Sequence, residues 1–402
     1  MLTTFESIKK NFKLKPQTVC IDNWIFRLHY RITTLIFLVA TILVTSRQYI
    51  GEHIRCISDK GVPENVLNTF CFFTSTFTVV KQYDDKMVER AEVAHPGVGS
   101  YGFNSTEPIQ RHAYYQWVPF VLFGQAIMFH LTHLMWKKFE GGRIRLLIEK
   151  LRYSSYSLLE KEIEIKGTKI PPKEQKEEFL KTIKRAFIER ILINKSWGRW
   201  LVFCEFLNVL NVVLQIYITD MFLGGKFINL GIDAVNDGLE ETVTVLDEVF
   251  PKVTKCSFYK YGPSGSIQIH DAMCVMALNI INEKIYIILW FWFIILFIVS
   301  SLAIIWRILT ICLHSRSTKF NQIVFSTTSP GRLNPWNTLT VTQRCDFTDW
   351  LFLNYLAKNM DALVFKDLFI GLAEDLEENK KPLITLDSDE ESGTLEKTHK
   401  YD

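Results

Sequence analysis

Cys56, Cys71, Cys256 and Cys274 are the residues of this chain whose type and spacing could most directly do chemistry. They fall two by two in a pair of long loops, and in an oxidising environment such cysteines form disulfides, whereas Cys20 and Cys345 are expected as thiols. Four cysteines allow three pairings, and spacing does not choose among them. Pairing across the loops would staple both into one domain, typically worth about 2–4 kcal/mol per bridge. Two independent loop closures are the alternative. His130 and His133 lie one helical turn apart, but no third ligand is in view, so a packed or water-facing pair is expected rather than a metal site. Glu205 stands inside an apolar run, where an ionisable residue is a functional hypothesis by default. Close to the inner end of that run, it is expected to reach the interface or to pair with Arg199. No nucleophile–base set, phosphate-cradling glycine loop or metal cluster is evident, so neither catalysis nor a cofactor is expected. No basic stripe with interleaved aromatics is present, and nucleic acid is not expected as a partner.

The elements that must position these residues are long and apolar. Residues 113–136 contain no Asp, Glu, Lys or Arg, and as a helix rising about 1.5 Å per residue they cross roughly 30 Å of hydrocarbon. Aromatic residues crowd the leading end of this run and Trp136 closes it, as at two headgroup levels. Runs at 32–46, 200–219 and 285–306 resemble it, and the last has no charge at all. Within 20 residues of the span ends, one set of flanks carries 19 Lys and Arg and the other carries 6, which puts both termini in the cytoplasm. The expected class is an all-α polytopic membrane protein with four transmembrane helices, a small disulfide-braced extracellular domain and helical cytoplasmic regions. In order, the divisions are an N-terminal segment (1–27), span one (28–46), outer loop one (47–112), span two (113–136) and a cytoplasmic loop (137–199). Span three (200–222), outer loop two (223–284), span four (285–306), a helical C-terminal region (307–376) and a disordered acidic tail (377–402) follow.

Within this frame Leu2, Phe5, Ile8 and Phe12 share a helical face, and Thr3 and Glu6 stand at capping-box separation. That segment reads first as an amphipathic helix lying on the inner leaflet, with a helix tucked into a pore mouth as the alternative. Span one carries Arg31 near its inner boundary and Thr34, Thr41 and Thr45 along its length, a polar content that helix packing and pore lining explain equally well. Pro119, inside the second run, is expected to kink it. Asn104-Ser105-Thr106 is a glycosylation acceptor in outer loop one.

Several motifs, in order along the chain, resemble those of the innexins, the invertebrate gap-junction proteins. YYQWV at Tyr114, Tyr115, Gln116, Trp117 and Val118 resembles the family signature. QYIGEHIRC and NTFCFFTSTFTV lie in outer loop one, EGGRI follows span two, and FPKVTKC and CVMALNIINEKIYIILWFWF bracket outer loop two. The resemblance implies identical or related subunits in a ring, an octamer being suspected, forming a hemichannel surrounded by membrane lipid. It further implies docking to the hemichannel of an adjacent cell at plasma-membrane junctions, with passive passage of ions and small molecules. It places the N-terminal segment in the pore entrance and span one in the pore wall, making Leu2, Phe5, Arg31, Thr34, Thr41 and Thr45 pore-lining candidates. It also implies the pairings Cys56–Cys274 and Cys71–Cys256. A glycan on Asn104 would obstruct docking, so an undocked hemichannel releasing small molecules is the first rival. A four-span adhesion or barrier protein of claudin or tetraspanin type is the second, although the CCG triplet of the latter is missing.

Overall fold

Hydrocarbon offers the backbone no hydrogen-bond partner, so a segment that crosses it must satisfy its own amides, and the four apolar runs do so as helices. A computed structural model of the chain describes residues 19–50, 53–58, 61–83, 90, 92–101, 106–148, 163–165, 168–170, 172–189, 191–236, 245–328, 341–342 and 345–378. Its helices are α1 (Trp24–Ile50), α2 (Glu64–Thr74), α3 (Val118–Glu140), α4 (Arg143–Ile148), α5 (Lys173–Glu189) and α6 (Ile191–Phe222). These are followed by α7 (Phe227–Asn236), α8 (Val245–Val249), α9 (Ala277–Leu313), α10 (Thr318–Thr328), α11 (Phe347–Asn359) and α12 (Ala362–Glu378). Helices α1, α3, α6 and α9 are long and apolar enough to cross a membrane. The strands are β1 (Arg55–Ser58), β2 (Thr76–Val79), β3 (Ile109–His112), β4 (Ile163–Ile165), β5 (Thr168–Ile170), β6 (Val253–Tyr261) and β7 (Ile267–Val275).

The chain forms two compact units. The first comprises Ile25–His133 and Phe206–Leu302. Between its spans, β1, β7, β6, β2 and β3 make an antiparallel sheet in that order, which adds strands to an otherwise helical reading. Strands β6 and β7 turn through 262–266, where Gly265 takes a φ of 78° that favours glycine and Gly262 N–H donates to Ser266 O at 2.8 Å. The core of this unit runs from Phe37, Phe129 and Phe293 to Phe250 and Tyr286, all essentially fully buried. Within α1, Leu28–Thr33 is a π-helical turn. There Thr33 Oγ1 donates to Leu28 O at 3.1 Å and accepts from Trp292 Nε1 at 3.0 Å, while His29 Nε2 meets Ser300 Oγ at 2.8 Å. A π turn leaves such side chains aimed off the regular helical face. Trp290 packs onto the backbone of Gly231, where a Cβ would lie 2.2 Å from its ring, and its Nε1 donates to Ile228 O at 3.0 Å. Trp290 and Trp292 are therefore packing residues.

The structure corrects the sequence reading of α3. The Tyr114–Gln116 segment forms a 3₁₀ turn ahead of the helix, which begins at Val118. Pro119 therefore sits in the first turn, where its missing N–H has no intrahelical acceptor to abandon, and it starts the helix rather than kinking it.

The second unit comprises Met1–Trp24, Leu134–Glu205 and Ala303–Asp402. Glu140 is buried and its carboxylate accepts from Gly142 N–H (2.7 Å) and Ile144 N–H (3.0 Å), so EGGRI is the cap that starts α4. Trp136, Trp197, Phe352 and Tyr355 form a ring cluster with Trp197 at its centre, 5.3–5.4 Å from each neighbour. Lys176–Asp367 and Lys184–Asp375, each 2.9 Å, tie α5 to α12. The partner found for Glu205 is Arg307. The Glu205 carboxylate takes a bidentate guanidinium from Arg307 at 2.7 and 2.5 Å, and each residue is 8% exposed. Truncating one member of such a pair strands the other charge, at a cost of about 3–5 kcal/mol. Glu205→Ala should therefore lower the thermal unfolding temperature of the detergent-solubilised protein sharply, and Glu205→Ala combined with Arg307→Leu should recover much of the loss.

Candidate functional site

The sheet brings the four loop cysteines together. Cys56 and Cys274 are register partners on β1 and β7 and are joined by a disulfide. Cys71, on the buried face of α2, is joined to Cys256 on β6. The sulfurs of Cys56, Cys71 and Cys274 lie within 4.8 Å of one another, but each is consumed by a disulfide and none is a metal ligand here. Asn68, one turn ahead of Cys71 in sequence, accepts the Cys56 N–H on its Oδ1 at 2.8 Å, locking α2 to β1 beside the bridges.

The signature residues fasten this domain to the spans within the same unit. Phe72 O, an orphan carbonyl near the end of α2, accepts from Tyr115 Oη at 3.1 Å and from Gln116 Nε2 at 2.6 Å. Tyr114 lies edge-on to Phe222 and Phe250, and burial of its hydroxyl holds its pKa well above the ordinary range. Trp117 is 62% exposed and Val118 is fully buried. Thr78 Oγ1 on β2 meets His112 Nε2 on β3 at 2.8 Å, and burial, helped by Lys226, pushes the His112 pKa down to about 4.

On α1, Phe37, Ala40 and Val44 face the core, while Leu35, Leu38, Val39 and Ile42 are exposed. Thr34, Thr41 and Thr45 follow one stripe between these faces and are half-buried. Thr41 Oγ1 donates to Phe37 O at 2.8 Å, so its polarity is spent on its own helix. Arg31 is exposed, with its guanidinium 5.4 Å from the Tyr30 ring centre. His133 stacks on Tyr30 at 3.6 Å, and His130 lies 5.8 Å from His133, ring to ring, which is an aromatic packing arrangement. Leu2, Phe5 and Asn104 lie outside the described residues, as does the acidic tail from residue 379.

A family model described as Innexin matches residues 22–376. The chain is an innexin. Innexin inx7 of Drosophila melanogaster is 48% identical over 377 residues, covering 93% of this chain and 85% of that protein. Innexin inx2 of Schistocerca americana is 40% identical over 381 residues, 94% of this chain and 99% of its own. Innexin inx2 of Drosophila melanogaster is also 40% identical, over 380 residues. Innexins are gap junction channel subunits of the plasma membrane, and this chain is one.

Sequence reasoning did not anticipate the sheet of this innexin. The signal was present: VTKCSFYKY and IQIHDAMCV flank GPSGS, two strand-length runs about a Gly- and Pro-containing turn. Asn68 and the Gln116 amide carry no such mark, since an exposed-looking polar residue gains its role only from what folds against it.

Two outcomes are expected for the loop domain. Cys71→Ser with Cys256→Ser should leave the Cys56–Cys274 bridge intact, and should cost roughly 2–4 kcal/mol in thermal unfolding under non-reducing conditions. His112 is a base whose folded pKa lies below its unfolded value of 6.5, so its contribution is full above pH 6.5 and is lost as pH falls toward 4. That window corresponds to about 3 kcal/mol. Unfolding temperatures measured from pH 7 to pH 4 should show this decline, and His112→Gln should flatten it.

Proposed function

We propose that eight copies of this chain close into a ring, and that two rings in apposed cells dock through the braced loop domain into one continuous water-filled path. The carrying observation is the pair of bridges between the loops, which gives the docking surface a fixed shape. The basic flanks, 19 Lys and Arg against 6, support an orientation with both termini cytoplasmic and the loop domain outside. The N-terminal segment, with Leu2 and Phe5, forms the pore entrance, and α1 contributes Arg31, Thr34, Thr41 and Thr45 to the wall. Passage is passive and involves no chemical step, because a wide aqueous path removes the cost of taking ions through hydrocarbon.

The β6–β7 hairpin supplies the contact surface in this reading. Tyr259 opposes Ile269 and Tyr261 opposes Ile267, so all four lie on one face, and all four are exposed. An apolar face at the end of an extracellular hairpin suits burial against another protein. The Asn104 acceptor sequence favours a second reading, an undocked hemichannel releasing small molecules. Dual-cell recording separates them. Tyr261→Asp with Ile267→Asp should abolish junctional conductance while sparing the current of single membranes. Undiminished junctional conductance would remove the hairpin from the docking surface, and membrane current without coupling in the unaltered chain would favour the undocked channel.

A further inference from the structure

Residues 20–23, through which the N-terminal segment enters α1, are gripped within one unit by side chains from three other parts of the chain. The Cys20 N–H donates to Asn359 Oδ1 at 2.5 Å, and Asn359 Nδ2 donates back to Cys20 O at 2.7 Å. A single side-chain amide thus offers the Cys20 backbone the donor and acceptor that a neighbouring strand would offer. The same Nδ2 donates to Tyr355 O at 2.7 Å, one turn back, which fixes the plane of the amide. Beyond Cys20, Trp136 Nε1 donates to Ile21 O at 3.0 Å and Asn23 Nδ2 donates to Glu205 Oε1 at 2.7 Å.

The three anchors differ in kind. Trp136 and Glu205 belong to spanning helices α3 and α6, held by the membrane, whereas Asn359 is the last residue of α11 in the C-terminal region. Helix α11 is buried from Asp349 to Ala357, and its Trp350 Nε1 donates to Asn321 Oδ1 of α10 at 2.9 Å. It is part of a packed body that includes Asn359. We propose that Asn359 is a positioning residue for gating: it couples the C-terminal helical region to the root of the N-terminal segment, so that displacement of α11 resets the pore entrance. This inference rests on the reading that the N-terminal segment forms that entrance.

The test records junctional conductance against transjunctional voltage in paired cells expressing the full chain, Asn359→Ala or Asn359→Asp, each with and without deletion of residues 2–18. Surface labelling counts the channels. Each lost hydrogen bond changes an equilibrium roughly fivefold. Asn359→Ala, which loses both bonds to Cys20, should therefore shift the open–closed balance of the full chain by roughly 25-fold, and Asn359→Asp, which keeps an acceptor for the Cys20 N–H, by less. In the deleted background neither variant should add a shift. The inference is overturned by an unchanged voltage response in Asn359→Ala at normal surface amount, by equal shifts in both backgrounds, or by failure of both variants to reach the surface, which marks a plain folding role. Deletion of residues 2–18 that leaves the voltage response untouched removes the pore-entrance reading itself, a separate result.

Discussion

Two covalent bonds join positions 218 and 185 residues apart, and each closes a circuit that contains two spanning helices. Bringing such distant points together costs chain entropy that rises with the logarithm of the loop. Non-covalent contacts among short strands would offset it poorly, because β1, β2 and β3 have four residues each. The bridges sit where the sheet can use them. One welds the edge strand β1 to β7, and the other pins α2 across β6, so both loops share one fold rather than closing separately.

Inside the spans a different constraint governs. A polar group removed from water must find a partner, and apolar surroundings make failure expensive. In one unit Gln125 Nε2 donates to Thr219 Oγ1 at 2.8 Å and Thr132 Oγ1 to Asn208 Oδ1 at 2.7 Å. In the other, Glu205 and Arg307 neutralise one another with two charge-assisted bonds, while Asn23 draws the start of α1 into the same pair. Such pairs add little net stability over apolar packing but strongly penalise misaligned helices. They set which faces meet, as a channel wall of fixed shape requires.

For a gap junction channel subunit, the division of labour follows from solvent. The exposed side of α1 carries Leu35, Val39 and Ile42, apolar residues that a span can leave uncovered by its own chain. The loop domain faces water and keeps its order through disulfides and buried hydrogen bonds such as Thr78–His112. The signature residues stand at the join. Tyr115 and Gln116 share one carbonyl of α2, which explains mechanically why polar and aromatic groups are interleaved just ahead of an apolar span.

What the sequence alone determined is what depends on neighbours along the chain. Four apolar runs of sufficient length, the bias of Lys and Arg between their flanks, and four cysteines in two loops are local or additive features, and they specified the spans and the class. The cysteine pairing, by contrast, was open from spacing and was suggested by family resemblance alone. Tertiary structure decided the rest. Glu205 took Arg307, 102 residues away, because the two lie on helices whose inward faces coincide, a matter of rotation and depth that periodicity does not encode. The strand order β1-β7-β6-β2-β3 arises because two distant loops supply one sheet. Asn359 looks like any helix-ending polar residue until the Cys20 backbone lies against it. Such partners are chosen by which surfaces meet in space, and a one-dimensional pattern carries that information only weakly.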